Sequence, residues 1–143
     1  MTVALEQART IVSATLAAGR RRGLHPLTVA VLDAGGHLVV LEREDGSGIL
    51  RPQIAVGKAW GALGMGFGTR ELAARAATAP SFVAALSAVS DGRIVPVPGG
   101  VLIRASPGAP VVGAVGVTGD TSDNDEACAV EGVEAAGLTA DGG

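Results

Sequence analysis

The stretch from Val112 to Ala136, VGAVGVTGDTSDNDEACAVEGVEAA, constrains the fold most. It opens as an aliphatic run set among Gly113, Gly116 and Gly119, which reads as a buried strand. It breaks at Gly119-Asp120 and restarts as a helix, with Ser122 and Asp125 three residues apart as an expected capping box. Asp120, Asp123, Asp125 and Glu126 lie where a helix dipole favours negative charge. The helix is then built from Ala127, Ala129, Gly132, Ala135 and Ala136, side chains small enough for close packing on a sheet. A strand, a tight turn and a closing helix are expected.

Upstream, Leu5, Ala8, Val12 and Leu16 recur at helical spacing, which predicts an amphipathic helix over residues 2–20. Residues 27–32 and 37–44 read as strands joined by Asp33-Ala34-Gly35-Gly36, a β-hairpin. Pro52 opens a helix bearing Lys58 and weakened by glycines at 57, 61, 64, 66 and 68, which implies close approach of a backbone or ligand. A helical stretch over 69–89 is punctuated by Pro80, and short strands are expected at 94–97 and 101–105. The order α-β-β-α-α-β-β-β-α gives an α/β (α+β) class, a mainly antiparallel sheet of about five strands flanked by helices. At 143 residues the chain is expected to be a single domain, 1–143.

Composition excludes several functions. The net charge is −3 and the only basic cluster is Arg20-Arg21-Arg22. With no Tyr, two Phe and one Trp, the chain lacks a stacking platform, so nucleic acid is not an expected partner. No run reaches the roughly 18 apolar residues that span a bilayer, so no membrane role is expected. Glu6 and Arg9 interrupt the first apolar run, against a secretion signal, and a cytoplasmic location is expected. A lone Cys128 and two separated histidines give no metal site. A hydrophobic fraction of 48% with 22 glycines implies apolar surface covered by another subunit, a homo-oligomer.

The segments AVLDAGGHLVVLEREDG (30–46), Lys58-Ala59, PGGVLI (98–103) and VVGAVGVTGDTSDNDEACAVEG (111–132) resemble the GlcG/HbpS-like haem-binding family, also met as the C-terminal domain of PduO-type proteins. The resemblance implies a profilin-like sandwich, oligomers and haem as the cofactor. The chain departs from the family in Glu44, where an apolar residue usually follows the arginine, and in the glycines after Lys58.

Haem needs an axial ligand, an apolar slot and often cations near its propionates. His25, stiffened by Pro26, is the expected axial candidate, whereas His37 past the Gly-Gly turn reads as a surface residue. Arg43 and Lys58 could hold a carboxylate, either a haem propionate or an organic acid, with a pocket near the Lys58 helix. Gly99 and Gly100 could present amides to an anion. The alternative is an isomerase or lyase acting on an organic acid, with Arg43 and Lys58 as anchors and Asp33 or His25 moving a proton. Asp33 also has a simpler use, starting the turn through its own side chain. A third reading is an assembly partner without a ligand.

Overall fold

The computed structural model describes residues 1–143. Five helices and five strands follow in the order α1 (Leu5–Arg21), β1 (Thr28–Asp33), β2 (Leu38–Arg43), α2 (Arg51–Met65), α3 (Thr69–Thr78), α4 (Pro80–Val89), β3 (Gly100–Arg104), β4 (Val111–Thr118), α5 (Ser122–Ala135) and β5 (Thr139–Asp141). The sheet order is β2-β1-β4-β3-β5, and every pairing is antiparallel. No helix is long and apolar enough to cross a membrane.

Alternation along the strands builds two cores. Val29, Val31, Val101, Ile103, Val115 and Val117 meet Ile11 and Val12 of α1 and Cys128, Ala129 and Val133 of α5. Leu32, Leu102 and Ala114 point the other way, onto Ala59 and Ala62 of α2. The second core is thin because α2 presses its backbone onto the sheet. A Cβ on Gly116 would overlap the Ala55 carbonyl, and one on Gly57 would overlap the Arg93 carbonyl. Of the glycines expected to mark a close approach, Gly57 and Gly68 meet backbone, of Arg93 and Gly142, while nothing stands within 4 Å of a Cβ on Gly64 or Gly66.

Several boundaries differ from the sequence-based expectations. α1 begins at Leu5 rather than Thr2, because the Val3 amide donates to Val112 O at 2.8 Å and ties the first residues to β4. The stretch 69–89 is two helices, since Pro80 forces Ala79 to φ −136°, ψ 62°. Residues 94–97 form no strand; they cross α2, with Val95 against Gly57, and the edge of β3 is taken instead by β5. The cap of α5 is Thr121, not Ser122: its side chain accepts from the Asn124 amide at 3.3 Å. Asp125 turns inward, to a use described below.

Candidate functional site

One face of α2 is only partly covered, residues 93–95 crossing it at Gly57. Gln53, Val56, Gly57, Trp60, Leu63 and Gly64 fall on a single helical stripe by their three- and four-residue spacing. Leu41 of β2, the edge strand, faces that stripe, as does the β1–β2 turn. Between them lie two cavities that follow one another along the helix. The first, about 300 Å3, is lined by Leu41, Pro52, Gln53, Val56, Gly57 and Arg93. The second, about 210 Å3, is lined by Ala34, Gly35, Gly36, Trp60, Leu63 and Gly64. They meet at a stack in which the Arg93 guanidinium lies 4.2 Å from the centroid of the Trp60 ring. Arg93 is otherwise held by a long 3.4 Å bond to the Ser90 carbonyl, so its charge faces the groove without a carboxylate partner.

The turn that closes the second cavity is organised by Asp33. Its Oδ1 accepts from the amides of Gly35 and His37, each at 2.9 Å, and lies 3.2 Å from His37 Nδ1. The His37 amide first, helped by the His37 ring and the Gly35 amide, holds the Asp33 carboxyl below its ordinary range. Asp33 therefore starts the turn through its side chain and also orients an imidazole. The His37 side chain is 80% exposed, and only its Nδ1 has a partner.

Arg43, Glu44 and Asp45 line a separate, polar groove of about 450 Å3 with Leu16, Arg20, Pro26 and Glu42. Three of its five charged residues, Arg20, Arg43 and Glu44, have partners within the chain. Arg43 donates to Ser47 O at 2.8 Å, Glu44 accepts from the Leu27 amide at 2.7 Å, and Arg20 pairs with Glu44 at 3.1 Å. His25 is exposed beside this groove. Its amide donates to Asp120 at 3.0 Å and its carbonyl accepts from Arg20, while its ring makes no hydrogen bond. Asp120, held by Asn124 and by the Thr121 and His25 amides, is lowered to about 2.

Lys58 lies in neither groove. It is 2% exposed, and its Nζ donates to Val117 O at 2.8 Å and to Asp125 Oδ2 at 3.3 Å. Asp125, 1% exposed, uses its other oxygen to accept from the Asp120 amide at 2.9 Å. Gly99 and Gly100 close over this pair: a Cβ on Gly99 would come 2.8 Å from Nζ, and one on Gly100 would overlap the Lys58 carbonyl. Burial pushes the Lys58 ammonium down and the Asp125 carboxyl up, and each partner opposes the other's shift. So the structure joins Lys58, Gly99 and Gly100, but around a buried carboxylate of the same chain. The Arg43–Lys58 clamp expected from sequence is not assembled.

The profile of the family described as "Haem degrading protein HbpS-like" matches residues 3–134. The chain belongs to that family. Among solved structures, HbpS is 32% identical, with a TM-score of 0.78 over 94% of this chain and 89% of that one. Klebsiella pneumoniae protein ORFY is 25% identical, with a TM-score of 0.85 over 96% of this chain and 92% of that one. The complex of PduOC with heme shares the fold at 21% identity, with a TM-score of 0.85 over 96% of this chain and 97% of that one. No curated protein matches.

Within this HbpS-like chain, sequence reasoning missed the Lys58–Asp125 pair, the Asp33–His37 pair and the Arg93–Trp60 stack. One signal for the first was present. A lone lysine in a helix of small apolar residues needs a counter-charge, and the acidic run at 120–126 was the richest source. For the second, the signal was an aspartate and a histidine bracketing Ala34-Gly35-Gly36, a segment short enough to fold one side chain onto the other.

Proposed function

We propose that this protein binds haem in the groove between α2 and β2. Membership of the HbpS-like family over residues 3–134 carries the ligand class. The chemistry of the groove supports its place: apolar walls from Leu41, Pro52, Val56 and Leu63, an aromatic surface at Trp60 and a cation without a carboxylate partner at Arg93, with the exposed His37 imidazole on the adjoining turn. Haem asks for that set: an apolar slot, an axial donor and a cation for a propionate. The Arg43 groove has only Leu16 and Pro26 as apolar lining residues, and its three carboxylates, Glu42, Glu44 and Asp45, outnumber Arg20 and Arg43. Its acidic balance makes it the poorer slot for haem propionates and for the organic anion that an enzyme of that kind would hold.

The first cavity lies at the lower end of the range for small-molecule pockets, about 300–1,000 Å3. We read Leu38, Ile49 and Leu50, exposed at 54%, 91% and 67%, as surface that a second copy of the chain covers. Light scattering that returned a monomer would remove this part of the reading. Hemin titration followed by absorbance tests the site itself. Val56 is half-buried in the groove wall, where it also packs on the second core, so Val56→Asp places a charge in the slot and its folding is checked by circular dichroism. The expected result is saturable binding in the wild type, weakened at least about tenfold in Val56→Asp, roughly 1.4 kcal/mol. Equal affinity in the two proteins would rule the groove out.

A further inference from the structure

We infer that α4 packs two-fold against α4 of a second copy of this chain, each Phe82 seating beside the turn that follows the other helix. The assignment rests on the reading above that a second copy covers exposed apolar surface, and it names the helix that makes the contact.

α4 is the least supported element of the fold. Among the helices and strands it contacts only α3. Apart from Pro80, Ser81 and Ser87, its ten residues are all Ala, Val, Leu or Phe, yet Val83 alone is buried. A helix that is apolar all round is one that something covers. Ten residues are also too few to hold a helix in water by backbone bonds alone. The buried Val83 and half-buried Leu86 mark the inner face. Phe82, Ala85 and Val89, at three- and four-residue spacing, form an outer stripe, with Phe82 50% and Val89 83% exposed.

This stripe suits a copy of itself better than a charged or polar partner. A two-fold contact sets residues near their own copies, so a charge at the axis meets its like. α4 carries no charge, and Arg75 of α3 is turned to Glu71 and to the Phe67 ring. In an antiparallel pair centred on Ala85, the small side chain lets the two backbones come close, and Phe82 lies opposite the partner's Val89. Just past Val89 the chain turns at Asp91-Gly92, beside a cavity of about 330 Å3 walled by Leu50, Ile54 and Val95. That cavity has room for the ring arriving from the other copy. A helix of ten residues, about 15 Å long, falls short of the roughly 800 Å2 per partner that a stable interface buries. Ile49 and Leu50, 91% and 67% exposed at the same end, supply the continuation.

The test is the mass in solution, by light scattering and sedimentation, of wild type, Phe82→Glu, Val89→Glu and Leu5→Glu, each checked for folding by circular dichroism. The wild type is expected to be a dimer or a higher even multiple. Phe82→Glu and Val89→Glu are expected to raise the dissociation constant at least tenfold, and Leu5→Glu, 45% exposed on α1, to leave the mass unchanged. Ala85→Cys is expected to give a disulfide-linked dimer on oxidation with diamide, which wild type does not, because its Cys128 is buried. A monomeric wild type overturns both the α4 contact and the reading on which it rests. An assembly unaffected by Phe82→Glu and Val89→Glu overturns the α4 contact and leaves that reading standing. Dissociation in those two variants without the Ala85→Cys cross-link overturns the two-fold register.

Discussion

Lys58→Met lowers the stability of the fold by about 3–5 kcal/mol at neutral pH, because it leaves the Asp125 carboxylate buried without its counter-charge. Lys58 joins three elements: it rises from α2, donates to the β4 carbonyl of Val117 and pairs with Asp125 in the first turn of α5. Methionine keeps most of the volume, so the loss reports charge rather than a cavity. Chemical denaturation measures it, and its pH dependence identifies the cause. Without Lys58, the folded carboxyl of Asp125 titrates well above its unfolded value of about 3.9. The penalty is therefore absent below that value, grows as pH rises towards the folded pKa, and is complete above it. The deficit relative to wild type should shrink as the pH is lowered towards 4. Replacing both partners, Lys58→Met with Asp125→Leu, should recover most of the stability, short of about 1 kcal/mol for the orphaned Asp120 amide. A single-variant loss under about 1 kcal/mol at neutral pH would contradict this role for the pair.

Gly116→Ala costs about 3 kcal/mol, the upper part of the range for overpacking. Gly116 lies on β4, flanked by Ala30 of β1 and Gly100 of β3, so the strand is held on both edges. The new methyl would overlap the Ala55 carbonyl and crowd the Ala59 amide nitrogen, helix backbone that no side-chain adjustment can move aside. The helix must lift. Gly64→Ala is the contrasting case: it lies within α2, nothing stands within 4 Å of its Cβ position, and it should stabilise the helix by about 0.5–1 kcal/mol. Thermal denaturation of the two variants reads both effects. Similar melting temperatures would mean that the helix and sheet are not pressed together as described. Lifting α2 also opens the groove, so Gly116→Ala should weaken hemin uptake along with stability.

Much of the fold was legible because burial imposes a period. α1 showed its stripe, the β1–β2 hairpin announced itself by aliphatic runs around a Gly-Gly turn, and β4–α5 by a glycine-spaced run and an acidic restart. β5 was not legible: three residues, Thr139–Asp141, carry no period, and only the vacant edge of β3 selects them. Residues 94–97 read as a strand from composition, but contact with α2 decided their path. The site was less legible, because its pairs are made by tertiary structure. Lys58 and Asp125 are 67 residues apart, and Asp125 had a plausible local use as a cap. Asp33 and His37 share no helix face or strand face; the turn between them joins the two side chains. Arg93 reaches Trp60 only because the segment after α4 crosses α2.

Amide spectra of isotope-labelled protein during addition of hemin locate haem on the surface of the fold. Ferric iron broadens nearby amide signals, so the pattern of lost peaks marks the binding surface. Haem in the groove between α2 and β2 gives loss concentrated at Gly35–Leu41 and at Gln53–Gly64, with the amides of Leu16, Arg20 and Glu44 retained. Broadening centred on Leu16, Arg20 and Glu42–Asp45, with Trp60 and His37 unaffected, would contradict it and place haem in the Arg43 groove.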